Sequence, residues 1–309
     1  MKVLVSNIMM LAERERFARV LESKGIKPIF PDVGQFLSEE QLLNLDYDFD
    51  GWLAGDDQIT RKVLNKFLPR LKVISKWGTG LDSIDLDSAI DLGVLVYNSP
   101  GAFRDAVAEV GIGYALNLSR DIVITDKSVR SGLWPKHSSE GLVGKKLGVI
   151  GYGAIGRGVA ERAIGMKMKV SYYDLFPVQV EGHLKSTVKE DLDVLLSTSD
   201  FICLACNLTS DNRHLINKDT INTMKDGVFL INISRGPLVN LKDLIQALNS
   251  GKVAGAGLDV FEEEPLSSSD LKTMDNVILG SHNANNLRSA TEFVHTNTIN
   301  NLMKGLGFK

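Results

Sequence analysis

Apolar residues recur along the first hundred positions in short runs that alternate with amphipathic stretches. The apolar runs of strand length lie at 2–6, 27–30, 51–54, 71–76 and 95–98. Helical spacing of apolar residues occupies 13–25 and 60–67 between them. Short apolar runs separated by amphipathic helices are typical of parallel βαβ units. The pattern therefore predicts a small parallel α/β domain.

A helix rich in small residues is predicted next, over about 104–119. Its apolar side chains recur at spacings of three and four, at Val107, Val110, Tyr114 and Leu118. This spacing indicates one buried face. Gly111 and Gly113 would weaken an isolated helix, so they indicate a close approach of another backbone, from the other domain or a second subunit.

A second series of strands and helices begins at Lys146. The predicted strands are 146–151, 169–174, 200–204, 228–233, 254–260 and 276–281, with helices at 155–165 and 241–249 and a closing helix at 287–306. The fold class is therefore α/β, with two Rossmann-like domains built on doubly wound parallel sheets. We expect the active site in the cleft between these domains, which closes on the substrate to exclude water.

Composition narrows the possible functions. The chain has 309 residues, the length of about two domains, and 44% of them are hydrophobic. A net charge of -3 argues against a nucleic-acid binder, and no apolar run is long enough to span a membrane. The N terminus lacks the pattern of a signal peptide, and Cys203 and Cys206 alone cannot form a disulfide framework. These features predict a cytoplasmic protein.

A glycine-rich turn lies where the strand at 146–151 meets the following helix. It reads Gly151, Tyr152, Gly153, Ala154, Ile155, Gly156. In such a GxGxxG turn the first glycine permits the tight turn, the second lets a pyrophosphate reach the backbone, and the third lets helix and strand pack closely. The free N–H groups at the helix start favour the phosphates. By itself the pattern is weak, because glycine-rich turns are common.

An acidic residue at the end of the next strand strengthens the interpretation. Asp174 follows Gly156 by about twenty residues, the spacing at which a carboxylate binds the ribose hydroxyls of NAD. The alternative is a structural turn followed by a surface aspartate. Lys185 and Arg157 leave NADP open, since either cation could reach a 2′-phosphate. The motif predicts NAD as the cofactor.

Three later strands each end on a residue suited to chemistry. The strand ending at Ile233 leads to Arg235, the next leads to Asp259 and Glu264, and the last leads to His282. Ligands of open parallel sheets bind outside the carboxyl ends of the strands, so we expect these side chains near one another.

Reduction of a 2-keto acid needs such a set. The developing charge on the carbonyl oxygen requires a proton donor, and the near-neutral pKa of free histidine suits His282 to that task. A carboxylate such as Glu264 would orient the ring, and a guanidinium such as Arg235 would bind the substrate carboxylate. Taken singly, each residue is more often structural, ion-paired or solvated; their shared placement carries the hypothesis.

These residues resemble the D-isomer-specific 2-hydroxyacid dehydrogenases over nearly the whole chain. The matching segments are KVISKWGTGLD at 72–82, NSPG at 98–101, AVAE at 106–109, GKKLGVIGYGAIG at 144–156, NISRGPLV at 232–239, GLDVFEEEP at 257–265 and SH at 281–282. The resemblance implies that Arg235 binds substrate and that His282, paired with Glu264, is the acid/base. It also implies that Ile233 and Asp259 lie at the cofactor.

The resemblance further implies that Gly78, Thr79 and Gly80 present backbone N–H groups to the substrate carboxylate. Within the family, the segments at 72–82 and 99–109 most resemble the D-3-phosphoglycerate dehydrogenase branch, without its regulatory C-terminal domain. In that branch an arginine suited to a phosphate often stands at the position of Lys76. A surface cation at a strand end is the alternative for Lys76. Phe103 departs from the family, where asparagine is common.

The resulting assignment has two parts. Residues 1–98 and 285–309 form a substrate-binding domain and 99–284 an NAD-binding domain, in a homodimer whose interface includes the 100–130 region. No metal is expected, because the C-x-x-C at 203–206 has no further ligands and is interpreted as two small core residues.

The substrate is left open among glyoxylate, hydroxypyruvate, longer 2-keto acids and 3-phosphohydroxypyruvate. Two alternative functions also remain at this point. One is an NAD(H)-sensing protein like the dehydrogenase-related corepressors, and the other is a phosphite-type dehydrogenase of the same superfamily. Formate is disfavoured because Glu264 fits the hydroxyacid pattern.

Overall fold

A computed structural model of the chain describes residues 1–267 and 270–308. The chain divides into two compact units, Met1–Phe103 with Arg288–Lys309, and Arg104–Leu287. The corresponding boundaries predicted from the sequence are 98/99 and 284/285. Within the described residues, no helix combines the length and the apolar character needed to cross a membrane.

The first unit contains a five-stranded parallel sheet. Its strands are β1 (Lys2–Val5), β2 (Lys27–Ile29), β3 (Gly51–Ala54), β4 (Val73–Lys76) and β5 (Leu95–Tyr97). Its helices before residue 104 are α1 (Ile8–Leu11), α2 (Arg14–Glu22), α3 (Glu39–Asn44), α4 (Arg61–Phe67) and α5 (Leu86–Asp91). The strand order is β2-β1-β3-β4-β5, which is one of the two common doubly wound orders.

The core of this unit forms around two completely buried strands, β3 and β4. Trp52 of β3 is fully buried, and its ring lies edge-on to Phe49 and Phe67, with centroids 5.5 and 6.0 Å away. Thr60 caps α4 by accepting a hydrogen bond from the Val63 N–H, which satisfies one of the free donors at the helix start. The pattern of buried strands under amphipathic helices explains why the apolar runs were continuous rather than alternating.

The second unit contains a seven-stranded parallel sheet. Its strands are β6 (Lys146–Ile150), β7 (Lys169–Tyr173), β8 (Val188–Lys189), β9 (Phe201–Leu204), β10 (Val228–Asn232), β11 (Val253–Leu258) and β12 (Val277–Leu279). Its helices are α6 (Arg104–Arg120), α7 (Ile122–Arg130), α8 (Ala154–Gly165), α9 (Leu192–Thr198), α10 (Lys218–Thr223) and α11 (Leu241–Ser250). The strand order is β12-β11-β10-β9-β6-β7-β8, the dinucleotide-binding order with one added strand.

The final helix, α12 (Arg288–Gly305), belongs to the first unit and packs on β3 and β4. Glycines allow the close contact: a Cβ on Gly51 would lie 2.6 Å from Leu302 Cδ1, and one on Gly305 would overlap the Val73 side chain. The Ser75 hydroxyl also donates to the Thr298 carbonyl oxygen at 2.8 Å.

Helix α6 packs against α8 and the sheet of its own unit. A Cβ on Gly111 would lie 2.9 Å from Ile233 Cδ1, and one on Gly158 would lie 3.1 Å from Ala108 Cβ. The close neighbour of Gly111 is therefore in the same unit, not in another domain or subunit as the sequence had suggested. A Cβ on Gly113 would meet no atom within 4 Å.

One row of paired residues crosses six strands of the second sheet. In spatial order from β7 to β12 these residues are Tyr173, Ile150, Leu204, Asn232, Leu258 and Leu279. Because all of these strands are parallel, the residues that follow the row lie along one edge of the sheet. That edge is where ligands of such sheets bind.

Candidate active site

The glycine-rich turn at 151–156 has the geometry that a dinucleotide needs. Gly151 adopts φ +90, and a Cβ there would lie 2.5 Å from the backbone of Cys206. A Cβ on Gly156 would overlap the carbonyl oxygen of Gly151. Gly153, in contrast, opens onto empty space, with no atom within 4 Å of its Cβ position. The outer two glycines thus close the turn, and the middle one leaves room for a phosphate against the backbone.

The start of α8 offers hydrogen-bond donors at this open position. Gly153 is the N-cap, and no side chain caps the helix. The first N–H groups of a helix have no partner within it and attract anions. The residues present therefore fit the pyrophosphate of a dinucleotide.

The carboxylate of Asp174 is held at the same turn. It accepts hydrogen bonds from the backbone N–H of Tyr152 at 2.7 Å and from that of Phe176 at 2.9 Å. These bonds fix a negative charge beside the glycine-rich turn, where it would repel a 2′-phosphate and accept the hydroxyls of an unphosphorylated ribose.

The side chains of the other predicted cofactor residues differ in their burial. The Tyr152 side chain is fully buried, stacks on Tyr172 with a centroid distance of 3.9 Å, and donates to Thr187 Oγ1 at 3.0 Å. Only its backbone belongs to the turn surface. Ala154 and Ile155 are half-buried at the helix start, and Ile233 is buried against α6.

His282 and Glu264 form a hydrogen-bonded pair after β12 and β11. His282 Nδ1 lies 2.7 Å from Glu264 Oε2, and Glu264 Oε1 accepts the N–H of Phe261 at 2.9 Å. Both side chains are partly exposed, at 31% and 25%. His282 adopts φ +55, a left-handed conformation that is uncommon outside glycine, and its N–H donates to the Asp259 carbonyl at 2.8 Å. The surrounding loop therefore determines where the imidazole points.

Arg235 follows β10, directly beside the loop that carries Glu264. Its Nη1 donates to the Ser234 carbonyl at 2.9 Å, and its own carbonyl accepts from Asn232 Nδ2 at 2.9 Å. A Cβ on the next residue, Gly236, would overlap the backbone of Phe261. The two loops thus touch through their backbones, which only glycine permits.

Asp259 follows β11 and is almost entirely buried, at 1% exposure. Its carboxylate accepts the backbone N–H groups of Asn283 and Ala284 at 3.3 and 3.0 Å. Tyr114 of α6 also donates its hydroxyl to Asp259 Oδ1 at 3.4 Å. The spacing of apolar residues predicted Tyr114 only as part of a buried helix face. The available signal was the pair of glycines, Gly257 and Gly280, that make room for its ring.

The predicted substrate loop lies in the first unit, at the end of β4. Lys76 is 4% exposed, so its interpretation as a surface cation is wrong. Its Nζ donates to Asp56 Oδ1 at 2.8 Å and to the Trp77 carbonyl at 3.1 Å. Gly78 adopts φ +112, and its Cβ position lies 3.6 Å from Phe103.

The loop is fixed further along by two bonds to Ser99. The Ser99 N–H donates to the Gly78 carbonyl at 2.8 Å, and the Thr79 hydroxyl donates to the Ser99 carbonyl at 3.3 Å. Gly80 is half-buried at the end of this loop.

Both cysteines are free thiols. Cys203 is completely buried in β9, where burial raises the pKa of its thiol to about 12. Cys206 is half-buried beside Gly151, and burial raises its pKa to about 11. The interpretation as core residues is confirmed for Cys203, whereas Cys206 reaches the edge of the glycine-rich turn.

Comparison with known proteins identifies the family. Residues 112–284 match the model for the D-isomer specific 2-hydroxyacid dehydrogenase, NAD binding domain. The chain is 39% identical to a glyoxylate reductase of Thermococcus litoralis, over 73% of this chain and 71% of that one. It is 40% identical to a hydroxypyruvate reductase of Thermotoga maritima, over 77% and 78%.

A solved structure is similar over the whole fold. The D-lactate dehydrogenase of Aquifex aeolicus, complexed with NAD and lactic acid, superposes with a TM-score of 0.83 at 30% identity, covering 97% of this chain and 93% of that one. The chain belongs to the D-isomer specific 2-hydroxyacid dehydrogenases. It is an NAD-dependent oxidoreductase that transfers a hydride between the nicotinamide and C2 of a 2-hydroxy or 2-keto acid. The predicted family, fold class, cofactor and reaction are confirmed.

Proposed function

We propose that the chain reduces a short, unphosphorylated 2-keto acid such as glyoxylate or hydroxypyruvate. The observation that carries the proposal is the His282–Glu264 pair, 2.7 Å apart, at the same sheet edge as the dinucleotide turn. Lys76, the cation that a phosphorylated substrate would need, is already paired with Asp56. The relatives from Thermococcus litoralis and Thermotoga maritima carry the names of reductases for these two short acids.

In this proposal NADH supplies the hydride to the carbonyl carbon. His282 donates a proton to the carbonyl oxygen, which would otherwise carry the developing negative charge. Nδ1–H of the ring donates a hydrogen bond to Glu264, so that Nε2 presents the proton that is transferred. Arg235 binds the substrate carboxylate, for which its planar fork of donors is suited.

Backbone N–H groups of Gly78, Thr79 and Gly80 provide further donors to the substrate carboxylate, and Lys76, whose ammonium is paired with Asp56, borders that loop on the substrate side. The cofactor is held by the turn at 151–156, with Asp174 at the ribose and Ile233, Asp259 and His282 at the nicotinamide. These roles are supported by the topology of the second unit. Its proposed site residues all come after the row of paired strand ends, at one edge of the sheet.

A homodimer that functions in the cytoplasm completes the proposal. No residue of α7 is buried, and the segment after it exposes Leu133 and Trp134 at 62% and 80%. Exposed apolar side chains on contiguous chain are typical of a protein interface, and a second copy is the partner that we propose. The free thiols are consistent with a reducing compartment.

The test is NADH oxidation by the purified chain with glyoxylate, hydroxypyruvate, pyruvate and 3-phosphohydroxypyruvate. We expect turnover on the short acids and a lower kcat/KM for the phosphorylated one. His282→Ala should lower kcat by about a hundredfold or more with little change in NADH affinity. Arg235→Ala should raise KM for the keto acid as well as lower kcat.

His137→Ala is the matched control, because His137 is exposed in the loop after α7, and it should behave as wild type. Tight NADH binding without turnover on any of the acids would contradict the proposal and favour a sensor. A His282→Ala variant with wild-type kcat would remove that residue from the mechanism.

A further inference from the structure

Tyr114 is held in a space that two glycines create. A Cβ on Gly257 of β11 would lie 2.6 Å from Tyr114 Cβ, and one on Gly280, just after β12, would overlap its hydroxyl oxygen. The phenol ring therefore lies directly on the backbone of two neighbouring strands. A side chain at either glycine would exclude it, so the location of this ring is specified by three positions and not only by the helix that carries it.

The hydroxyl of Tyr114 meets a buried carboxylate. It donates to Asp259 Oδ1 at 3.4 Å. Burial, followed by the charge of Asp259, raises the pKa of Tyr114 well above its ordinary value. The hydroxyl thus keeps its proton, and remains a donor, at neutral pH. A buried carboxylate that loses a hydrogen-bond donor is strongly destabilised, so this contact contributes to the position of the Asp259 side chain.

Asp259 in turn holds the segment that carries His282. Its carbonyl oxygen accepts the His282 N–H at 2.8 Å, and its carboxylate accepts the N–H groups of Asn283 and Ala284. Three consecutive backbone donors are therefore bound by one residue. Because His282 has φ +55, its left-handed conformation persists only if surrounding contacts impose it.

We propose that Tyr114 is a positioning residue for the proton donor, acting through Asp259 on the turn 282–284. Tyr114 fixes the Asp259 carboxylate, Asp259 fixes the turn, and the turn directs the imidazole toward Glu264. This inference rests on the proposed function, because it requires His282 to be the acid/base. It adds a residue on helix α6, outside every motif quoted above, to the determinants of catalysis.

The test uses Tyr114→Phe, which keeps the ring in its space and removes only the hydroxyl. We expect kcat for keto-acid reduction to fall by about tenfold, with KM for the keto acid changed less than about twofold. The alkaline limb of the pH–rate profile should move to lower pH, because a displaced imidazole is less well stabilised in its charged form by Glu264. Tyr47→Phe, at an exposed tyrosine, is the matched control and should leave all three unchanged.

A second readout does not depend on activity. The chain has five histidines, so the ring-proton NMR signal of His282 can be assigned by its absence in His282→Gln. In the protein without cofactor that signal should shift in Tyr114→Phe and not in Tyr47→Phe. A double-mutant cycle with Asp259→Asn should be strongly non-additive, since both changes act on the same turn.

Wild-type kcat, pH profile and His282 signal in Tyr114→Phe would overturn the inference, even if the melting temperature fell. Additive effects with Asp259→Asn would overturn it as well, because Tyr114 would then act by another route. An inactive wild type would instead refute the proposed function, and this inference with it.

Discussion

At the scale of single residues, Asp57, Asp259 and His295 are almost completely buried and ionisable, but they differ in how many hydrogen-bond partners surround them. Asp57 accepts hydrogen bonds from the Ser6 hydroxyl at 2.5 Å and from two backbone N–H groups, yet burial still raises the pKa of its carboxyl. Asp259 also accepts several donors. His295, at 1% exposure, accepts one hydrogen bond at Nδ1, from the Trp77 indole at 3.0 Å. Its Nε2 has no hydrogen-bond partner among the described residues.

The surroundings of His295 predict how stability depends on pH. Because the indole donates to Nδ1, the neutral ring carries its proton on Nε2, 3.8 Å from Glu13 Oε1. Burial lowers the pKa of His295 although the carboxylates of Glu13 and Glu292 favour the charged form; Arg16 pairs with both and opposes them. The unfolded chain therefore binds a proton below about pH 6.5 that the folded chain resists.

We accordingly expect the stability that neutral His295 contributes to be fully present above about pH 6.5 and to be lost progressively as the pH falls below it. Urea unfolding at a series of pH values measures this loss. His295→Gln can still accept the indole hydrogen bond but does not titrate, so it should lose less stability than wild type on acidification. His137→Gln, at an exposed histidine, should keep the wild-type dependence. Equal losses in wild type and His295→Gln would show that other groups cause the acid sensitivity.

At the scale of elements, the glycines of the turn between β6 and α8 have two different roles. Gly156 allows the backbone to pack closely, and Gly153 leaves open space for the cofactor. Gly156→Ala places a methyl group on the Gly151 carbonyl, a backbone atom that cannot move aside. We expect a lower melting temperature and at least about a tenfold loss of NADH affinity. Gly153→Ala places its methyl group in open space, so it should fold normally and lose NADH affinity alone. Thermal melts and NADH fluorescence titrations distinguish these outcomes.

Gly165→Ala is the control for helix propensity, because it lies at the end of the same helix with no atom within 4 Å of its Cβ position. It should bind NADH normally and be equally stable or slightly more so. If Gly153→Ala bound NADH as tightly as wild type, the open space above the turn would not be the pyrophosphate site.

The same scale shows what sequence could and could not predict. The predicted strand at 254–260 is observed as Val253–Leu258, and the predicted helix at 155–165 as Ala154–Gly165, because both patterns are long and regular. Two elements were not predicted: β8, which has two residues, and α7, whose residues are all at least partly exposed. A two-residue strand has no period to detect, and a helix that buries nothing within its own unit lacks a clear apolar face.

Within the site, the sequence was informative wherever chemistry follows a strand end. Glu264 and His282 could be paired because both follow neighbouring strands of a parallel sheet, and the structure places them 2.7 Å apart. The Tyr114–Asp259 contact joins residues 145 positions apart, one on a helix and the other just after a strand. It was not predicted, because the glycines at 257 and 280 do not by themselves identify the side chain that packs on them. The partner of Lys76 was not predicted either, since two adjacent carboxylates, Asp56 and Asp57, follow the neighbouring strand and the sequence does not distinguish them.

At the scale of the whole molecule, the two units use two different doubly wound strand orders. The first has its chemistry-bearing residues after β3 and β4, and the second after β6, β7, β10, β11 and β12. In both cases the carboxyl ends of parallel strands carry them, as such sheets require. The candidate site residues therefore lie at the edges of two different sheets, and none of them lies in α7 or in the segment after it.

The exposed apolar side chains of α7 and of the segment after it predict the oligomeric state. Ile122 and Val129 of α7 are 46% and 43% exposed, and Leu133 and Trp134 follow at 62% and 80%. Apolar side chains so exposed are costly to hydrate, and burying them against a second copy would stabilise a dimer.

Analytical ultracentrifugation should give about twice the chain mass of 33.9 kDa for wild type. Leu133→Ser combined with Trp134→Ser should shift the equilibrium toward monomer, whereas Phe293→Ser, at a 57% exposed position of α12, should leave it unchanged. A monomeric wild type at micromolar concentration would show that these side chains do not face a second copy.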